Sequence, residues 1–156
     1  MTAKSQGDNN NANSIANDKP KLLTRAQIFA AHDLDTEDVP VPEWANGDAV
    51  CVRVSALTAT DRDAFEQSCV MEVGGESKFT RVNIRAKLCA RSIVDENGKR
   101  IFTDSDVMAL GQKSAAALDR VFAVAMRLSK ISGDDVKKLE KNSDSDDSVA
   151  PLSLSH

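Results

Sequence analysis

The sequence predicts an α+β fold, predominantly α-helical, with a small strand and hairpin element packed on four to five helices, one of them long. Three observations carry that expectation. Four Ser or Thr residues are each followed three positions later by a side chain able to reach back to a free amide: Thr24 with Gln27, Thr58 with Asp61, Thr103 with Asp106 and Ser132 with Asp135. One valine-rich alternation and one Asn-Gly dipeptide mark a strand and a hairpin. A stripe at 3-4 spacing, Val107, Leu110, Ser114, Ala117, Leu118, Val121, Ala125 and Leu128, marks a helix that can form the backbone of the core.

The first cap opens a short helix, Arg25 to Ala31, presenting Ala26, Ile28, Phe29 and Ala30. It runs into an acidic, loop-like stretch holding Asp33, Asp35, Glu37 and Asp38, the kind of run that is usually solvated. Pro40 and Pro42 then force an extended path, and Asn46-Gly47 signals a turn. Ala49 to Leu57 reads as a strand with Val50, Val52 and Val54 on one face and Cys51, Arg53 and Ser55 on the other.

A second helix is expected from Ala59 to about Met71, burying Ala64, Phe65 and Cys69, followed by a mobile loop from Glu72 to Thr80 around Gly74-Gly75. The third, Arg81 to about Ser92, sets Val82, Ala86, Cys89 and Ile93 on the core side and Arg81, Arg85, Lys87 and Arg91 on a solvated face. Ile93 to Phe102 reads as a tight hairpin around Asn97-Gly98. The long helix spans Asp104 to Lys130, roughly 40 Å at the α-helical rise. A fifth runs from Asp134 to Lys141.

Residues 1–20 are too polar to bury surface against chain entropy and are expected to be disordered. Residues 142–156 form an acidic, flexible tail, which leaves 21–141 as one globular domain. Of the net charge of -4 over 156 residues, -3 sits in that tail, and 21–141 holds 18 basic against 19 acidic groups. A domain so balanced lacks the clustered basic surface that nucleic acid requires. No apolar run is long enough for a membrane span, and the N-terminal stretch lacks the apolar segment of a secretory signal, so the expected address is the cytoplasm.

Catalytic and metal readings fail one at a time. Cys51, Cys69 and Cys89 are spaced 18 and 20 apart, which suits reduced, buried thiols rather than a disulfide framework or a zinc site. A calcium loop with Gly98 at its sixth position would put Ile93 where the first oxygen ligand belongs. Gly74-Gly75-Glu76-Ser77-Lys78 lacks the spacing of a phosphate loop, and His32 is the sole histidine available to activate a thiol within the domain. No catalytic residue, metal or cofactor is expected.

The series Val50 to Glu66, then Asn83 to Leu110 with Val94-Asp-Glu-Asn-Gly-Lys-Arg-Ile-Phe-Thr-Asp104 inside it, then Ala116 to Phe122, resembles the tail assembly chaperones of long-tailed bacteriophages across about residues 21 to 142. The resemblance implies a small non-catalytic α+β protein of the host cytoplasm. It would bind tape measure protein, and tail tube protein subunits, transiently during tail morphogenesis, and would be absent from the mature virion. Self-association is a further expectation, and the rival reading is a structural minor tail or connector protein retained in the particle. The resemblance assigns no contact residues. From chemistry, the partner-binding candidates are Trp44, an aromatic of hot-spot type on a Pro-rich segment, and Met126, Leu128 and Ile131 at the end of the long helix.

Overall fold

The computed structural model describes residue 2 and residues 19–46 and 49–143. The expected disorder of 1–20 and the expected acidic tail lie almost wholly outside them. The chain divides between His32 and Asp33 into two units.

The first unit holds helix α1, Arg25–Ala30, with a complete capping box: the Gln27 amide donates to Thr24 Oγ1 at 3.3 Å and the Thr24 amide donates to Gln27 Oε1 at 2.9 Å. Leu23 and Ile28 occupy the two positions of a hydrophobic staple.

The second unit is built on a three-stranded antiparallel sheet in the order β1-β2-β5, with β1 at Thr36–Pro40, β2 at Cys51–Ser55 and β5 at Ile93–Val94. Strand β1 corrects the loop reading of the acidic run. Asp38 stands directly opposite Arg53 and accepts two hydrogen bonds from its guanidinium, at 2.7 and 2.9 Å. Those bonds hold the Asp38 carboxyl below its usual range. Pro40, which has no amide to offer, suits an edge strand. A single 3₁₀ turn, Pro42–Trp44, follows.

Helix α2, Ala59–Ser68, starts on Thr58, whose Oγ1 accepts from the Asp61 amide at 3.0 Å. The expected mobile loop is in fact a hairpin of β3, Val70–Val73, and β4, Glu76–Phe79. Gly74 and Gly75, at φ +65° and +85°, form a two-residue connection in which both φ angles are positive, the conformation most side chains resist.

Helix α3, Ile84–Ser92, is the best buried element: Ala86, Leu88, Cys89, Ala90, Arg91 and Ser92 are all buried, and Val82, expected in the core, is exposed ahead of it. The expected solvated basic face forms only in part: Arg81 and Arg85 are exposed, while Lys87 is half-buried and Arg91 is buried. Arg91 is 8% exposed and donates to Asp104 Oδ2 at 2.8 Å, Lys87 donates to the Ser68 carbonyl at 2.6 Å, Arg85 bridges Asp119, and Arg81 bridges Glu140 at 3.0 Å. The Asn97-Gly98 turn forms as expected, with Gly98 at φ +77° and the Asp95 carboxylate accepting from the amides of Asn97 and Lys99, each at 2.9 Å.

The long helix is broken. A 3₁₀ turn, Asp104–Asp106, leads into helix α4, Val107–Leu110, and the chain turns before helix α5, Ala115–Leu128, begins on Ser114. At the break, a Cβ at Gly111 would lie 2.9 Å from Asn83 Oδ1 and 3.3 Å from the Val107 carbonyl oxygen, so glycine lets the chain pass Asn83 closely without moving that side chain. Helix α5 lays Ala117, Leu118, Val121 and Ala125 on the core, packing against α3 on one side and β1 and β2 on the other. It ends in a Schellman closure: the Ile131 amide donates to the Met126 carbonyl at 3.0 Å, the Lys130 amide to that of Arg127 at 3.3 Å, and Lys130 takes φ +53°. Helix α6, Gly133–Ser143, packs against β4.

Lysine carries a cost at that left-handed position that glycine does not. Lys130→Gly is therefore expected to raise unfolding free energy by roughly 0.5 kcal/mol, read as a higher denaturant midpoint at unchanged slope. Asp104 yields a second expectation. Burial disfavours its charge, but the hydrogen bond from Arg100 and the charges of Arg91 and Arg100 outweigh that, and its carboxyl sits below the usual range. A lowered folded-state pKa stabilises above the unfolded-state value, about 3.9, and that contribution fades as pH falls through the folded-state value. Asp104→Asn should lower stability at pH 7 and flatten the acid limb below about pH 4 in urea melts across the pH range.

Candidate functional site

The four expected contact residues are placed as follows. Trp44 is half-buried against the core rather than exposed, and its segment is held by Arg120, which donates to Glu43 Oε1 at 2.8 Å and to the Pro40 carbonyl at 2.7 Å. The hydrogen bonds from Arg120 keep the Glu43 carboxyl below its usual range. The Trp44 indole Nε1 is buried and has no hydrogen-bond partner among the described residues. Met126 and Leu128 are half-buried at the end of α5, and Ile131 is 7% exposed, drawn into the core by the closure that ties it back to Met126. Met126 and Ile131 are thus brought together at the C-terminal end of α5, and Trp44 lies beside its first half, where Arg120 projects.

The largest apolar exposure is elsewhere. No residue from Leu22 to Ala31 is buried, and Leu22 is 90%, Leu23 60%, Ile28 56% and Phe29 73% exposed. The Arg25 guanidinium lies 4.7 Å from the Phe29 ring centre, holding that ring on the helix surface. Lys19, Lys21 and Arg25 supply the only charges between residues 19 and 32. Helix α1 itself carries Arg25, Ile28 and Phe29, while Leu22, Leu23 and the two lysines lie in the segment ahead of its cap, and all four large apolar side chains touch water. An isolated helix this short is marginal in water. The full capping box and staple positions offset part of that cost. The sequence showed the cap and the apolar residues; their exposure is a property of the structure.

A second feature combines charge with concavity. Between the start of α3 and the start of α5 lies a cavity of about 200 Å³ bordered by Arg81, Arg85 and Lys113, with Asn83 and Gly111 in its wall. The Asn83 amide nitrogen donates to Met108 Sδ at 3.1 Å.

Among the described residues, no group of three or more His, Cys, Asp or Glu side chains could hold a metal ion, and no helix is long and apolar enough to cross a membrane. The three cysteines are free and differ in environment. Cys69 and Cys89 are buried, and desolvation pushes both thiols up, Cys89 to about 12. Cys51 is exposed, contrary to the expectation of three buried thiols, because the alternation that turns Val52 and Val54 inward turns Cys51 outward.

Residues 23–142 match the family model described as phage tail assembly chaperone. No curated protein and no solved structure matches the chain. The matched stretch takes in α1 from its capping segment onward, the whole sheet, and α6 to its penultimate residue.

The thiol environments predict a labelling pattern. Iodoacetamide at pH 8 should modify Cys51 alone in the native protein and all three cysteines in denaturant, counted by intact-mass spectrometry. Native modification of Cys69 or Cys89 on the same timescale would contradict the burial described.

Proposed function

The chain belongs to the phage tail assembly chaperone family, and we propose that it binds tape measure protein, and tail tube subunits with it, transiently in the host cytoplasm while the tail is built, without catalysis and without a place in the finished particle. The observation that carries this reading is the α1 segment. Its exposed Ile28 and Phe29 on a capped helix, with Leu22 and Leu23 just ahead of the cap, suit a groove between helices of a long helical client. Its three positive charges, with no acidic residue among them, favour a client surface of the opposite sign.

Trp44, Met126 and Leu128 belong to the same reading as further contacts, since each keeps part of its surface outside the core. Ile131 would act there by shaping the end of α5, given its burial. Binding through shape and apolar surface also agrees with the near balance of charge over 21–141.

A pull-down tests the proposal. Ile28→Asp with Phe29→Asp in the full chain should reduce retention of tape measure protein roughly tenfold or more, the loss expected when two anchor side chains go. The thermal melt should be unchanged, because neither side chain is buried. Full retention by that variant would rule out α1 as the client-binding element. Detection of the chain at stoichiometric levels in purified particles by mass spectrometry would instead make it a structural tail protein.

A further inference from the structure

We propose that the outer edge of β3 is a self-association seam, on which a second copy of this chain adds its own β3 antiparallel. The hairpin itself shows which backbone groups are available. The Thr80 amide donates to the Cys69 carbonyl at 2.7 Å, one step before Val70 and Phe79 in the register that next pairs Met71 with Lys78 and Val73 with Glu76. Hydrogen-bonded pairs alternate with non-hydrogen-bonded ones along an antiparallel ladder, so Met71 and Val73 direct their amides and carbonyls to β4, whereas those of Val70 and Glu72 point away from it. Among the described residues no hydrogen bond uses these outward groups. Helix α6 packs against β4, which leaves β3 as the open side of the hairpin, with Met71 and Val73 half-exposed along it. A hairpin of two strands is marginal by itself, and added strands with an apolar face are what stabilise one.

Register selects the second copy as the occupant. Strands that share these outward groups can set Val70 opposite Val70, Glu72 opposite Glu72, or Val70 opposite Glu72. Glu72 opposite Glu72 brings like charges face to face. Val70 opposite Val70 carries Met71 onto Cys69, which is fully buried, and runs the strand into α2, which ends at Ser68. In the remaining register Val70 faces Glu72 of the partner subunit and Glu72 faces the partner's Val70, so every outward amide and carbonyl of both strands is paired about a two-fold axis. Met71 then meets the partner's Met71 in a non-hydrogen-bonded pair, where opposed side chains come closest, and the two half-exposed thioethers cover one another. Strand β3 is thus complementary to itself, and the seam joins two hairpins into one continuous sheet.

Sedimentation equilibrium on the full chain, under reducing conditions that keep the exposed Cys51 from cross-linking, tests this. A seam so short makes a weak dimer, with Kd on the order of 0.1 mM. The weight-average mass should be about 1.7 times that of one chain at about 0.5 mM and fall close to that of one chain at about 5 µM. Met71→Lys and Met71→Glu each set like charges opposite one another at the axis, and each by itself should stay monomeric. Mixed in equal amounts the two variants should recover the association, because Lys then faces Glu. Ile28→Asp with Phe29→Asp should associate as the unaltered chain does, which keeps the seam distinct from the α1 segment and from client binding. A monomer at the higher concentration, dimers that persist in either Met71 variant, no recovery in the mixture, or lost association in the α1 variant would each overturn the proposal.

Discussion

A guanidinium inside a small domain must be paired where it lies, and the pairing of Arg91 organises much of the second unit. Arg91 is carried inward because α3 is buried on nearly every side. Its partner Asp104 is shared with Arg100, at 3.1 Å, and Arg100 also donates to the Ala90 carbonyl at 3.2 Å and reaches Asp61 at 3.4 Å. The end of α3, the hairpin arm after Gly98, the turn before α4 and the first turn of α2 therefore meet in one network. Removing one partner of a buried pair is costlier than the pair is worth. Here the cost is moderated because the Asp104 side chain remains 62% exposed and keeps part of its hydration.

Around that network the core is made of small side chains. Ala86, Cys89 and Ala90 of α3 lie in the same cluster as Ala117, Val121 and Ala125 of α5. Small residues let two helices come close, and close packing leaves no room for added methylenes without strain. Larger side chains, Phe65, Leu88, Ile93 and Leu118, fill what remains. A chain with one Trp, five Phe and no Tyr can build its interior this way with Phe65 as the one fully buried aromatic among the described residues.

What could be read in advance was whatever rests on neighbours in sequence. The caps at Thr24, Thr58 and Ser132, the valine alternation of β2 and the Asn97-Gly98 turn depend on residues a few positions apart, and they formed as expected. Strand β1 escaped notice because Thr-Glu-Asp-Val-Pro has weak strand preference; it is held by Arg53 on β2 and by Arg127 on α5, partners distant in sequence. The break at Gly111 was hidden because α5 restarts on Ser114 with its apolar stripe still in phase, and the side chain that Gly111 passes, Asn83, lies 28 residues earlier. The Gly74-Gly75 hairpin carried its own local signal, a Gly-Gly pair directly after the Val70-Met71-Glu72-Val73 run, and was misread as a loose loop. Exposure was the least legible property: Val82 was expected on the core side and is bare, and nothing in the spacing of Ile28 and Phe29 told whether they would be covered.

Strand β1 lies at the edge of its sheet, paired on one side by β2. An edge of that kind is a template on which another extended chain can add, the first step of aggregation. Pro40 offers no amide to an incoming strand, and Glu37 and Asp38 put charge along the edge, held in place by Arg127 and Arg53. The residues that make β1 look unlike a strand in the sequence are thus the ones that keep its open side from recruiting a neighbour.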